Sequence, residues 1–344
     1  MEYNKYMYIY PFCFITDGRN QFSIYDSRKK KMHQFDMELY DVVKNQFRQK
    51  RVNEILSSFN NEDSEVILSF IDFLLKNDIG CFVDNIDNFP LINEYWDSPF
   101  KIKRCIADVR DVWHNFDNIF SELNKLLCPK IEIRSYRILS LFEIKQLVEV
   151  FEKYDFGVLF LLMPYNEELF NADSSETLSK MIHNDYRIIL NITNVTDEQK
   201  IKLDKIKDQY SSLSYNMTLS SKRVLGKDDC GVINYKNFHE MTIDDIMENK
   251  KYNGCLNRLI SIDENGMIKN CPSMLTDFGN IKTTSLIDVY QREDFRKYWN
   301  ISNSMIEGCR ECELRVVCLG CRAYLIDPDN IYSKPAKCNY NSGH

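Results

Sequence analysis

Four cysteines, Cys309, Cys312, Cys318 and Cys321, stand in the spacing C-x2-C-x5-C-x2-C near the end of this 344-residue sequence. Upstream, Cys255 is followed by ten residues, Gly266, four residues and Cys271, and downstream Cys338 is separated from Cys321 by sixteen residues. Thiolates are soft ligands, and at this density they select zinc or iron–sulfur clusters. A disulfide framework is the poorer reading, because the chain reads as cytoplasmic and a reducing compartment disfavours structural disulfides. The other five cysteines, Cys13, Cys81, Cys105, Cys128 and Cys230, are scattered, mostly in apolar settings that suit buried small hydrophobes.

No second chemical constellation competes with this one. The five histidines, His33, His114, His183, His239 and His344, show no Ser/Asp or Cys pairing at a recognised spacing, and His114 reads as a loop or helix-cap residue. There is no phosphate-binding glycine loop. The acidic pairs Asp228-Asp229 and Asp244-Asp245 read as helix-start or loop carboxylates. A net charge of -7 argues against nucleic acid as a partner, and the basic run Arg28 to Lys31 reads as a solvated turn. No apolar run has the eighteen or so residues of a membrane span, and the N-terminus lacks the layout of a secretory signal.

The elements that must position the thiols follow from periodicity. "LISID" and "MIKN" flank a turn at Glu264 to Gly266, so the stretch between Cys255 and Cys271 reads as a hairpin that brings both thiols to one centre. From about 102 to 220, strands and helices alternate in a β/α array of about five units, fewer than a closed eight-unit barrel needs. At the N-terminus, residues 6 to 27 read as a hairpin about Asp17 to Asn20, followed by helical patterns and a returning strand at "CFVDN". Strands with three helices in about ninety residues make a winged helix. Without a basic recognition helix, its expected role is to add a peptide strand to an exposed sheet edge. The edge chosen is Lys31, Met32, His33, Gln34 and Phe35, backed by the helix containing Ile67, Phe70 and Phe73, three residues that also serve the core. The expected fold is thus α/β, with a winged-helix-like domain at 1–88, a degenerate partial β/α barrel at 89–225 and a cysteine-rich domain at 226–344.

The order C-x10-G-x4-C, then C-x2-C-x5-C-x2-C, then a distant cysteine resembles the SPASM domain, as does "FGNIKTTSLIDVY" between the two groups. The last knuckle spacing is one residue shorter than the family's x3. The resemblance implies two auxiliary [4Fe-4S] clusters, one on Cys309, Cys312, Cys318 and Cys338, the other on Cys255, Cys271 and Cys321. The fourth position of the second is empty or filled by Cys230 or a non-protein group. Many proteins with this domain are radical S-adenosylmethionine enzymes, which need a C-x3-C-x2-C after the first barrel strand. This chain has no such motif, so cleavage of S-adenosylmethionine is not expected. The architecture as a whole resembles the peptide maturases of grasp-with-spasm systems. That implies maturation of a ribosomally made peptide, with a precursor peptide and an ATP-grasp ligase as partners. A structural zinc scaffold and a redox or Lewis-acid enzyme using an open cluster site are the alternative functions.

Overall fold

The computed structural model describes residues 2–89, 91–222, 224, 226–233 and 240–340; His239 and His344 lie outside the described residues. The N-terminal aromatic run is split in two. β1 (Tyr6–Ile9) and β2 (Cys13–Asp17) are separated at Pro11, which has no N–H to give to a ladder. Cys13 N instead donates to Tyr10 O at 2.9 Å in a turn. β2 pairs antiparallel with β3 (Gln21–Asp26), which pairs with β4 (Lys31–Asp36). β1 departs to pair with β5 (Gly80–Val83). The run read as a single hairpin arm is therefore two strands in two sheets.

Met7, Phe22 and Ile24 pack against Val42, Val43 and Phe47 and against Ile67, Phe70 and Leu74 of the helix Asn61–Lys76. Asn60 caps that helix by accepting from Asp63 N at 2.9 Å. The segment carrying Val42 and Phe47 is wound unevenly, with a π-helical turn at Val42–Gln46. There the Asp41 carboxylate accepts from Asn45 at 2.8 Å and Gln46 at 2.7 Å, four and five positions on.

The central sheet has seven strands. β6 (Arg104–Val109), β7 (Lys130–Ser135), β8 (Val158–Pro164), β9 (Ile188–Thr193) and β10 (Met217–Leu219) lie side by side in chain order and parallel. Helices Phe116–Lys125, Leu141–Phe151, Ala172–Asn184 and Asp197–Gln209 follow the first four. β10 is short, three residues, because Ser211–Asn216 completes a helix immediately before it. On the free side of β6 lies β11 (Leu259–Ile262), also parallel, and then β12 (Ile268–Lys269), antiparallel to β11. Alternation in the strands sends Cys105, Ala107, Ile131, Ile133, Leu159 and Leu161 into a core with Phe120, Leu147 and Phe151. The opposite face is less covered: Lys130, Glu132, Phe160 and Asn191 are half-buried. One core runs from Ile102 to Trp299, so the β/α array and the first cysteine-bearing hairpin share a sheet.

Candidate metal centres

The β11–β12 hairpin is closed by Asp263, whose carboxylate accepts from the N–H groups of Asn265 and Met267, each at 2.9 Å. Gly266 sits in the left-handed region at φ 84°. Just before the hairpin, Asn253 is buried and uses both ends of its amide. Its oxygen accepts from Cys255 N at 3.2 Å and Leu256 N at 2.9 Å. Its nitrogen donates to Gly320 O at 2.8 Å and Ile301 O at 3.2 Å. The hairpin thiols are thereby tied to the knuckle beside Cys321.

That knuckle is short, and Gly320 is what closes it. It lies at φ 65°, and a Cβ there would collide with Asn303 Oδ1. Asn303 in turn donates to Cys318 O at 2.6 Å and Arg315 O at 2.8 Å. Gly320→Ala is expected to destabilise the domain by at least about 2 kcal/mol, from backbone strain and lost amide bonds together. Thermal unfolding of the variant checks this; a melting temperature within 1 °C or so of wild type would refute the role given to Gly320.

All twelve cysteines are unpaired, and the eight C-terminal ones fall into two groups. Cys309, Cys312, Cys318 and Cys338 line one tight cavity. Cys230, Cys255, Cys271 and Cys321 line a second, of about 120 Å³, with Cys318 on the wall between them. Cys230 is brought in by pairing of Ile233 with Cys338, through Ile233 N to Lys337 O at 2.9 Å and Asn339 N to Ile233 O at 3.0 Å. Beside it, Gly231 has φ 86°, and a Cβ there would lie 2.7 Å from the Tyr324 ring and 3.3 Å from Cys321 Sγ. Only glycine lets this loop lie flat on the second group.

The thiols are primed for ligation but costly to ionise alone. Burial pushes Cys312 and Cys318 up to about 12, and Cys271 and Cys309 up to about 11. Opposing this, the nearby backbone of Leu314, Gly320 and Ser273 pulls the thiols of Cys312, Cys318 and Cys271 down. Arg322 is buried beside both groups. Its Nη1 donates to Ser333 O at 2.7 Å and Ile331 O at 3.2 Å, while its Nη2 has no partner among the described residues. Burial weakens its hold on the proton, and Cys309, Cys321 and Cys318 strengthen it. A buried guanidinium nitrogen left without a partner among thiols is what an anionic, thiolate-bound iron–sulfur group would satisfy.

Comparison with known families decides the nature of this segment. Residues 254–313 match SPASM, an iron–sulfur cluster-binding domain. No curated protein matches the chain.

The SPASM segment also holds the N-terminal sheet. The β2–β3 turn lies on the Cys312 knuckle: Arg19 N donates to Glu311 O at 2.9 Å and Ser23 Oγ to Glu313 O at 2.6 Å. Arg315 pairs with Asp17 at 2.6 Å. The buried Glu313 carboxylate accepts from the Tyr340 hydroxyl and from Gln34 Nε2 of β4 at 2.8 Å.

Of the remaining sequence candidates, His114 is buried, with Nε2 2.8 Å from Asp108 O, just ahead of the Asn115 cap. His183 ends the helix Ala172–Asn184, and His33 stacks edge-on to Phe73 on β4. Asp244, Asp245 and Glu248 converge, but the Lys103 ammonium already occupies their midst. Asp245 is also the capping-box partner of Thr242, and Asp229 caps Gly226 N at 3.1 Å. Sequence reasoning missed Asn253, Asn303, Gly231 and Arg322. Only the adjacency of Arg322 to Cys321, and of Asn253 to the Gly254-Cys255 step, hinted at them.

No helix among the described residues is long and apolar enough to cross a membrane.

Proposed function

We propose that this protein is an iron–sulfur component of ribosomal-peptide maturation. It would hold two [4Fe-4S] clusters, bind the precursor's leader on its N-terminal sheet, and act beside an ATP-grasp ligase. The observation that carries the reading is the division of eight thiols into two groups of four, with Cys230 beside Cys255, Cys271 and Cys321, where it would supply the fourth ligand of the second. The match of residues 254–313 to an iron–sulfur cluster-binding domain favours clusters over zinc, and a four-iron cube gives each corner iron its own thiolate.

For the N-terminal segment we keep the winged-helix-like reading, and for the central sheet that of a partial barrel. β4 is an outer strand of its sheet, and Phe35 on it meets Phe70 and Phe73 at ring separations of 4.8 and 5.3 Å. Ile67 and Phe70 are core residues, whereas Phe73 is half-buried beside His33. A leader strand added to β4 would lay alternate side chains over this aromatic corner. Gln34 is committed to Glu313, so a backbone test there would disturb both contacts, and Phe73→Ala is the cleaner probe.

Anaerobic reconstitution should give about eight iron and eight sulfide per chain, as two four-iron clusters require. Stoichiometric zinc without sulfide would overturn the cluster reading. Fluorescence anisotropy with leader peptides encoded beside the gene should show binding that Phe73→Ala weakens at least about fivefold, roughly 1 kcal/mol of buried ring. Absence of binding by the loaded full-length protein would leave the sheet a packing module.

A further inference from the structure

We propose that Arg104 and Lys130 form a carboxylate-binding site, at the floor of a cavity of about 300 Å³ that reaches Cys255, for a ligand carrying an acidic group on a short apolar body. The inference stands apart from the metal reading.

The two residues are cross-strand neighbours. Arg104 of β6 pairs in register with Lys130 of β7, so both side chains leave the same face of the sheet, and both are half-buried. Two like charges set opposite each other are unfavourable unless something between them is negative. The acids that share the cavity are committed elsewhere. Glu248 holds Lys103 and accepts from Asn257 Nδ2 at 2.8 Å. Asp245 accepts from Thr242 N at 3.0 Å and Oγ1 at 2.7 Å. Glu240 pairs with Lys30 at 2.6 Å.

Among the described residues neither cation has a carboxylate partner. Arg104 Nη2 has only Cys255 O at 3.4 Å, and Lys130 Nζ sits 4.6 Å from the Phe160 ring centre. Burial, and then Arg104, hold the Lys130 ammonium below the usual lysine range, although Glu132 and Asp245 act the other way. A planar guanidinium fork beside an ammonium suits a carboxylate. Met241, Leu259 and Leu319 provide the apolar wall.

The test is calorimetric titration of the full chain, as purified and after reconstitution, with glutarate, its neutral analogue glutaramide, and inorganic phosphate. Glutarate should bind saturably, and Lys130→Gln or Arg104→Gln should each weaken it at least about tenfold, the worth of one charge-assisted hydrogen bond. Lys130→Gln removes a half-buried charge that has no carboxylate partner among the described residues, so its melting temperature should stay near wild type. In the wild-type protein glutarate should also protect Lys130 from reductive methylation, a readout that needs no variant. No saturable glutarate binding up to about 10 mM, equal binding of glutaramide, or tighter binding of phosphate would each overturn the proposal. So would binding that neither substitution changes.

Discussion

On the proposed two-cluster reading, Cys312→Ala is expected to remove one centre, halving iron content while the other survives. Cys309, Cys318 and Cys338 would remain on the cavity wall, but the iron that Cys312 held would be left open and labile, and loss of that iron exposes the rest of the cube. Because such a site scarcely exists in the unfolded chain, metal affinity is folding energy. A loss of several kcal/mol follows, or a melting-temperature fall on the order of 10 °C for a chain of this size. The effect should extend beyond the site. Glu313, the next residue, receives Gln34 and Tyr340, so amide exchange should quicken along β2 to β4 as well. Cys13→Ala makes the control: Cys13 is the first residue of β2 and is buried in the N-terminal core, far in sequence from the thiol groups, and its loss should leave metal content intact. Unchanged metal content and melting temperature in Cys312→Ala would remove this cavity from the account.

Arg322→Met tests the electrostatics. A buried cation beside a cluster favours the more negative, reduced state, so its removal should lower the midpoint potential. For a charge taken to lie about 7 Å from the cluster in an effective dielectric of about 20, the interaction would be roughly 2.4 kcal/mol, or on the order of 100 mV for one electron. Arg322→Lys should recover part of this. The stability cost should also depend on loading. In metal-free protein the guanidinium carries an unsatisfied Nη2, so its removal relieves a desolvation penalty that offsets the lost bonds to Ser333 and Ile331. In loaded protein no such relief exists. Thermal melts of both forms, with redox titration, check the pair of expectations; an unchanged potential would deny Arg322 any part in balancing cluster charge.

How much of this was legible depended on range along the chain. The knuckles and the hairpin between Cys255 and Cys271 are local, and their spacing alone announced soft-metal chemistry. The β/α alternation was equally plain, since each strand and helix carries its own period. The placement of β11 beside β6 was not, because a parallel pairing between Leu259 and Arg104 leaves no periodic trace. Cys230 was ambiguous for the same reason: its approach depends on Ile233 meeting Cys338, more than a hundred residues on. Pro11 was the opposite case. It marks the break between β1 and β2 in plain sight, but the aromatic residues on either side masked it.

The clasp between the β2–β3 turn and the Cys312 knuckle sets a timetable for synthesis. Ser23 meets Glu313 across 290 residues of sequence, and Asp17 meets Arg315 across 298. At about 5–20 residues per second on the ribosome, the first sheet waits roughly 15–60 s for its counterpart to emerge. During that interval Asp17, Arg19 and Ser23 face water or a chaperone. Such long-range closure is slow and entropically late. Cluster insertion would then be among the last steps of maturation, and a chain cut short before residue 309 would leave the turn of its first hairpin without a seat.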